Sequence, residues 1–230
     1  MIAVLYDVHG NLGALEAVLA DAEAAGAREF VLGGDYALFG PQPAETVERL
    51  RGLNARWVRG NGERWTADPG DAPDDDVVQG AIAAARAELG PAAVDELAAL
   101  PERLETPHAL FVHGSPVSDV RSFLPEPGDD EDELLAPAAD ADRLVFGHTH
   151  LQFRRRAATG TKLVNPGSVG MPFDGDPRTA YALIGHDGEL ELRRVPYDHA
   201  AAAAAVRDRF PGFGATIARR IETASFAPAG

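Results

Sequence analysis

Short apolar runs alternate with longer segments of helical periodicity in the first part of the chain. Ile2 to Tyr6, Phe30 to Leu32 and Arg56 to Val58 are runs that predict buried strands. Between them, Leu12 to Ala25 and Glu45 to Leu53 place apolar residues at helical spacing, which predicts a helix after each of the first two strands. Strands that alternate with helices in this way are typical of α/β proteins.

The alternation continues to about residue 150. Val77 to Ala99 is rich in alanine and predicts a helix that is interrupted at Gly90-Pro91. Ala109 to Val112 and Arg143 to Phe146 predict two further strands, separated by a long acidic connection. The acidic residues from Glu126 to Glu133 are punctuated by proline and glycine, and they predict a solvated loop.

After His150 the pattern changes to short strands joined by tight turns, and Asp187-Gly188 is a hairpin signal. Four such strands are predicted, at Gln152–Arg156, Lys162–Val164, Tyr181–Ile184 and Glu189–Val195. From Tyr197 an alanine-rich helical tail follows. We therefore expect one α/β domain over residues 1–230, with two sheets and outer helices, a core at 1–196 and a C-terminal helical tail at 197–230.

Composition and charge exclude several classes of protein. The chain of 230 residues has no cysteine, which excludes disulfides and thiolate metal sites and fits a reducing compartment. Its N-terminus lacks a basic region, and Asp7 breaks the first apolar run, so we expect neither a signal peptide nor a membrane span. A net charge of -15 argues against non-specific binding to nucleic-acid backbones or anionic membranes. We expect a cytoplasmic protein, and the sequence leaves its oligomeric state open.

A potential metal ligand follows each of five successive predicted strands, usually beside glycine. Any one of these residues alone is typical of a turn, but the whole set is poorly explained in that way. In open α/β sheets, ligands bind at the carboxyl ends of the strands, which places the set at one rim. The residues are, in chain order, Asp7, His9, Asp35, Asn61, His113, His148 and His150. The other histidines, His108, His186 and His199, lie outside this pattern.

The chemistry of these seven side chains is that of a divalent transition-metal site. Carboxylate, amide and imidazole ligands without thiolate favour Mn, Fe, Zn, Co or Ni over calcium. Seven ligands are too many for one such ion and suit two ions that share a carboxylate. Two divalent cations and two aspartates leave the rim positive by about two charges, which suits a phosphate ester. Metals paired at about 3.5–4 Å can hold a bridging hydroxide for in-line attack at phosphorus.

Five short motifs carry a resemblance to a known family. They resemble, in order, the motifs of the calcineurin-like metallophosphoesterase superfamily, over residues 1 to about 196. The segment Asn165 to Gly170 resembles the small prokaryotic phosphodiesterase branch. The five motifs are Asp7-Val8-His9-Gly10-Asn11, Gly34-Asp35, Gly60-Asn61-Gly62-Glu63, Val112-His113-Gly114 and Gly147-His148-Thr149-His150.

The resemblance implies a four-layer α/β/β/α sandwich and a dinuclear, metal-dependent phosphoesterase that hydrolyses phosphodiesters or activated phosphate esters, with manganese as the favoured metal. Asn61 and His148 are also expected to contact the substrate. Asn11 is expected to order its loop, and Asn165 to Gly170 to form a structural turn. The implied ligands are Asp7, His9 and His150 for the first metal, Asn61, His113 and His148 for the second, and Asp35 as the bridge.

The chain departs from the family pattern at Gly62. The family usually has a histidine there, which protonates the leaving group, and glycine cannot replace it. General acid catalysis contributes about 10²–10⁴-fold, so the loss should affect poor leaving groups most. Glu63 keeps the family's acidic position although the histidine that it would orient is absent. Tyr6 stands where the family often has serine, a change from which we expect little.

Other functions fit the same residues. One is a catalytically weakened metal-binding or protein-interaction module, as in the retromer subunit of this fold, and another is a phosphomonoesterase or protein phosphatase. The complete ligand set favours an enzyme, because a scaffold has no physical need for seven ligands at one rim. The expected partner is a small phosphate ester or nucleotide, with cyclic nucleotides, dinucleoside polyphosphates and phosphoproteins as candidate substrates.

Overall fold

The structure is a computed structural model that describes residues 1–138 and 140–226. Within these residues, ten strands form two sheets of five strands each. The strands are β1 (Ile2–Leu5), β2 (Glu29–Leu32), β3 (Ala55–Trp57), β4 (Arg103–Glu105), β5 (Leu110–Val112), β6 (Arg143–Val145), β7 (Phe153–Arg156), β8 (Lys162–Asn165), β9 (Thr179–Ile184) and β10 (Leu190–Val195).

Helices connect the parallel strands and flank the sheets. The helix α1 begins after Asn11, whose side chain accepts a hydrogen bond from the Ala14 amide, and α4 changes direction at Gly90 (φ 70°), as the sequence predicts. The α-helices of the described residues are α1 (Leu12–Ala24), α2 (Pro43–Arg51), α3 (Asn61–Ala67), α4 (Asp76–Ala98), α5 (Glu131–Leu135), α6 (His199–Arg209) and α7 (Gly214–Thr223).

Parallel strands form the centre of each sheet. The first sheet has the order β10-β9-β1-β2-β3, in which β1, β2 and β3 are parallel and Val4 lies opposite Val31. The second sheet has the order β4-β5-β6-β8-β7, in which β5, β6 and β8 are parallel. Because parallel strands end at the same edge, the residues that follow them are brought to one rim.

The alternation of side chains along β1 builds two different interfaces. Ala3 and Leu5 pack in the cluster that includes Leu15 of α1, whereas Val4 packs in the cluster between the sheets that includes Phe111 of β5. A third cluster lies on the outer face of the second sheet and includes Leu134 of α5. The order of layers is therefore helices, sheet, sheet and helix, which confirms the predicted α/β/β/α fold.

Tyr6 connects the two sheets. Its ring is fully buried, and its hydroxyl donates a 3.0 Å hydrogen bond to the Val145 carbonyl of β6. A side chain at Gly33 or Gly147 would overlap the Tyr6 ring. Tyr6 thus holds the strands of both sheets together just before the rim, a larger role than the sequence indicates.

The structure differs from the sequence prediction at short polar elements. The strand β4 has an alternation of charged residues around Leu104 with no apolar run, so its pattern gave no strand signal. The acidic connection, predicted as a loop, contains α5, where buried Glu131 pairs with Arg155. The predicted tail is two helices, α6 and α7, and its last residues, 227–230, lie outside the described part of the chain.

In the part of the chain that the structure describes, no helix has both the length and the apolar character needed to cross a membrane.

Candidate metal centre

The seven predicted ligands meet at the rim where the strands of both sheets end. Asp7 and His9 follow β1, Asp35 follows β2, and Asn61 is the first residue of α3, just beyond β3. The remaining three come from the second sheet, where His113 follows β5, and His148 and His150 follow β6. Six of the seven side chains are buried, and His148 is partly open to solvent.

The first group of side chains contains Asp7, His9 and His150. The Nε2 atoms of the two histidines are 3.0 Å apart, and Asp7 Oδ1 lies 3.5 Å from His150 Nε2. On the opposite side of each ring, Nδ1 faces a backbone carbonyl, Leu38 O at 3.1 Å and Met171 O at 2.6 Å. With Nδ1–H donating to these carbonyls, both Nε2 lone pairs are directed at one point, as metal ligation requires.

The second group contains Asn61, His113 and His148. Asn61 Oδ1 lies 2.9 Å from His113 Nε2 and 2.8 Å from His148 Nδ1. His113 Nδ1 faces the Gly33 carbonyl at 2.9 Å, which leaves Nε2 for a ligand. The Asn61 amide can also be turned so that its nitrogen donates to both rings, whereas cation binding requires the oxygen to face them.

Asp35 lies between the two groups. Its Oδ1 is 3.4 Å from His113 Nε2, and its Oδ2 is 4.0 Å from His9 Nε2. Each carboxylate oxygen therefore faces a different group. Asp7 reaches both groups as well, since its Oδ1 lies 3.9 Å from His113 Nε2.

The environment of Asp7 indicates that this rim fits cations. Asp7 Oδ2 accepts a hydrogen bond from the His148 amide, but Oδ1 is buried without a hydrogen-bond partner among the described residues. A buried carboxylate oxygen is costly unless it is paired. Together with the imidazole nitrogens that surround it, this oxygen forms a donor set that suits a divalent transition metal. The residues at the rim therefore offer two groups of side chains that could each hold a metal ion.

Three comparisons with known proteins identify the family of the chain. Residues 1–188 match the family model of the calcineurin-like phosphoesterase superfamily domain. The chain belongs to this superfamily. It is 30% identical over 235 residues to an uncharacterised protein of Methanocaldococcus jannaschii, in a match that covers 92% of this chain and 94% of that protein.

Two solved structures have the same architecture as this chain. A metallophosphoesterase from Sphaerobacter thermophilus is 29% identical to this chain with a TM-score of 0.81, and the match covers 97% of this chain and 98% of that one. A hypothetical protein from Pyrococcus horikoshii OT3 is 20% identical with a TM-score of 0.82, over 99% and 100% of the two chains. The superfamily predicted from the five motifs is thus confirmed, and with it a metal-dependent phosphoesterase family.

The calcineurin-like motifs place most candidate ligands on an unusual backbone. Five of the seven candidate ligands have positive φ angles, which residues other than glycine seldom adopt. Such a conformation costs on the order of 1–3 kcal/mol per residue and persists where the surroundings enforce it. The five are Asp7 (54°), His9 (51°), Asp35 (59°), His148 (66°) and His150 (58°).

The segment Asn165 to Gly170 stabilises the Asp7 conformation. The Ser168 hydroxyl donates to the Asp7 carbonyl at 2.7 Å, and the Gly170 amide donates to the same carbonyl at 3.0 Å. Asn11 contributes from the other side, since its amide donates to the Gly170 carbonyl at 2.9 Å. These contacts agree with the predicted structural roles of Asn11 and of the turn.

Glu63 stabilises the loop that carries Asp35. Its buried carboxylate accepts three backbone hydrogen bonds, from Gly60 at 2.8 Å, Asp35 at 2.9 Å and Tyr36 at 2.8 Å. The sequence places Glu63 at the family's acidic position, but without the histidine that it would orient. Glu63 is instead a positioning residue, and the segment from Asn61 onward is helical. The signal that was missed is an acid three residues after the N-cap position.

Gly62 brings α3 close to the bridging carboxylate. Its amide donates a 2.7 Å hydrogen bond to Asp35 Oδ1. A Cβ atom at position 62 would lie 2.9 Å from that same oxygen. A histidine could enter here only if Asp35 moved, so this rim accommodates glycine better than the general acid that the superfamily usually has.

Burial and mutual charge shift the pKa values of the candidate ligands in both directions. Burial, together with the charge of neighbouring histidines, lowers the pKa of His9 to about 3 and that of His148 to about 4. Burial, together with Glu63 and Asp7, raises the pKa of Asp35 to about 7. Burial opposes protonation of His113, but Asp35 and Asp7 outweigh it and raise its pKa. Both shifts favour the protonated forms of Asp35 and His113.

Metal binding near pH 7 is expected to release protons, because Asp35, whose pKa is raised to about 7, must lose its proton to act as a ligand. The metal affinity should therefore rise as the pH increases through about 7, the pKa of Asp35. Calorimetric titration of the metal-free protein with Mn²⁺, in two buffers of different ionisation enthalpy, measures the proton release. Equal binding heats in the two buffers would contradict this assignment.

A cavity of about 630 Å³ opens beside His113. Its wall contains the ion pair between Arg64 and Asp119, in which Nε and Nη2 each donate a 2.7 Å hydrogen bond to the carboxylate. Arg59 lines the same cavity and pairs with Glu102. This end of the rim is therefore polar and charged.

Proposed function

We propose that the protein is a two-metal phosphoesterase that hydrolyses phosphodiesters or activated phosphate esters. The observation that carries the proposal is the position of Asp35, whose two oxygens face the two histidine-containing groups separately. A carboxylate in this position suits two cations that share it. Membership of a metal-dependent phosphoesterase superfamily supports the same function.

We propose that each metal is held by three side chains besides Asp35: Asp7, His9 and His150 for the first, and Asn61, His113 and His148 for the second. When bound, two such cations would supply positive charge that polarises the ester and activates water. The favoured metal is manganese, with Fe, Zn, Ni and Co as alternatives, because the donor set contains oxygen and nitrogen but no sulfur.

The residues of the chain itself set the charge and orientation of the site. Asn61 is a neutral donor, so the rim keeps more positive charge than a third carboxylate would allow. His148 is the most accessible of the seven side chains, and with Asn61 it is the proposed contact for a phosphoryl oxygen. Gly62 provides no proton for the leaving group, which favours esters whose leaving groups are stable anions.

The test uses Mn²⁺-loaded protein and a series of aryl methyl phosphates whose phenol leaving groups differ in pKa. We expect turnover of the activated esters and a steep fall in rate as the pKa of the phenol rises, because no side chain at position 62 can protonate it. Protein shown to hold two metals that turns over none of these esters with Mn, Ni, Co, Fe or Zn would instead support the protein-interaction module.

A further inference from the structure

The two ends of the candidate metal centre have different surroundings. Beside His113 the wall is charged, with Arg64 and Asp119 in an ion pair. Beside His9 and His150 the wall is aromatic. Its members, named here the aromatic wall, are Phe39, Phe173 and Phe226.

Phe173 is fixed directly to a candidate ligand. Its ring stacks on the His150 ring, with centroids 4.4 Å apart and planes 14° apart. Its backbone amide donates a 3.2 Å hydrogen bond to the His150 carbonyl. The aromatic wall thus begins at the metal centre.

Phe226 extends the wall outward. Its ring lies edge-on to Phe173 at 5.3 Å, and the Arg220 guanidinium lies 4.3 Å from the Phe226 centroid. A hydrogen bond of 2.9 Å from the Gly175 amide to the Ala224 carbonyl ties this end of the chain to the loop that carries Phe173. Although it is held in this way, Phe226 is 60% exposed.

Phe39 borders the other ligand of this group. Its ring lies 5.5 Å from that of His9, and its backbone has a φ of 77°. A bulky residue in this conformation is strained, and strain of this kind is concentrated at functional sites. Phe39 and Phe173 both pack on the cluster formed by α6 and α7, which gives the wall a rigid support.

We propose that the aromatic wall binds a flat aromatic group, a nucleobase or an aryl ring, on the part of the ester that stays attached to phosphorus when the leaving group departs, with Phe226 as the stacking platform. The inference rests on the proposed phosphoesterase function. An exposed ring supported by a guanidinium offers a face for stacking, which accepts any planar π-system.

The test compares three diesters with the same leaving group, so that the reacting bond is constant. These are the p-nitrophenyl esters of methyl phosphate, phenyl phosphate and thymidine 5′-phosphate. For the Mn²⁺-loaded protein, we expect kcat/KM to be about 10-fold or more higher for the phenyl and thymidine esters than for the methyl ester. A higher value for thymidine than for phenyl would identify a nucleotide, and the reverse an aryl ester.

The deciding variant is Phe226→Ala, which removes an exposed ring and leaves the core intact. It should lower kcat/KM for the phenyl and thymidine esters by about 5- to 30-fold, chiefly through KM, with a much smaller loss for the methyl ester, whose only ring is in the leaving group. Phe226→Trp should retain the preference, and Phe226→Leu should lose it. Leu124→Ala, which removes another exposed apolar side chain (51% exposed), is the control and should behave like the wild type.

Binding of thymidine 5′-monophosphate, measured by calorimetry, separates this inference from the proposed function. If Phe226→Ala binds this nucleotide more weakly but the protein turns over no ester, the stacking role of the aromatic wall is supported and the proposed phosphoesterase function is contradicted. Turnover with no preference among the three esters would contradict the stacking role of the aromatic wall and leave the phosphoesterase function standing. An equal loss with all three esters in Phe226→Ala would assign Phe226 to the support of His150 and also overturn the proposal.

Discussion

Asp35→Asn is expected to abolish most of the phosphoesterase activity while it leaves the metal-free fold intact. The change removes the charge of the proposed bridge and replaces one of its two facing oxygens with an amide nitrogen. Loss of charge stabilisation by several kcal/mol corresponds to a fall in turnover of about 10³-fold or more. Metal analysis should show fewer than two ions per chain.

The stability of this variant distinguishes a lost ligand from a damaged fold. The raised pKa of Asp35 means that the fold favours its neutral form, so the ionised carboxylate becomes a stability penalty as the pH rises from its ordinary pKa towards about 7. A neutral asparagine avoids that penalty. Without metal, Asp35→Asn should therefore melt at or above the wild-type temperature near pH 7, but Mn²⁺ should raise its Tm less.

The matched control for this variant is Asp21→Asn. Asp21 lies on α1, away from the rim, and pairs with Arg193 of β10, so its loss should leave the metal content and the turnover unchanged. Full activity of Asp35→Asn with two bound metals would rule out Asp35 as the bridge.

Glu63→Gln is expected to weaken both the fold and metal binding, although Glu63 is not a ligand. A glutamine has one acceptor oxygen and an amide nitrogen, so at least one of the three backbone N–H groups loses its partner. An unsatisfied buried donor costs about 1–3 kcal/mol, which should lower the free energy of unfolding by that amount. Since one of these donors is the Asp35 amide, metal affinity should fall by about 10- to 100-fold.

Glu131→Gln provides the control for the loss of a buried carboxylate. Glu131 is 7% exposed and pairs with Arg155 in the outer layer, so its variant should lose stability without losing metal affinity. Calorimetric titration with Mn²⁺ and denaturant unfolding of both variants make the comparison. A wild-type metal affinity in Glu63→Gln would show that metal binding by Asp35 does not depend on the hydrogen bonds that Glu63 accepts.

The sequence predicted the parts of this protein that follow strong local patterns. Apolar runs such as Ile2 to Tyr6 are buried strands because their hydrophobic residues must be covered, and a ligand that follows a parallel strand must lie at the rim. The gathering of seven candidate ligands at that rim was therefore predictable, although their metal-binding roles remain a proposal.

The features that the sequence did not predict depend on distant contacts. The function of Glu63 depends on the Asp35 and Tyr36 amides, which lie 28 and 27 positions away in the chain. The strand β4 has no apolar run, and its pairing with β5 decides its structure. The aromatic wall brings together Phe39 and Phe173 from two loops and Phe226 from the segment after α7, and these three segments share no sequence motif.

The most direct test of the two-metal assignment is an anomalous difference map from crystals of the Mn²⁺-loaded protein, recorded near the manganese absorption edge. We expect two peaks, one beside Asp7, His9 and His150 and one beside Asn61, His113 and His148, with Asp35 in contact with both. A single peak, or two peaks that Asp35 does not join, would contradict the two-metal assignment.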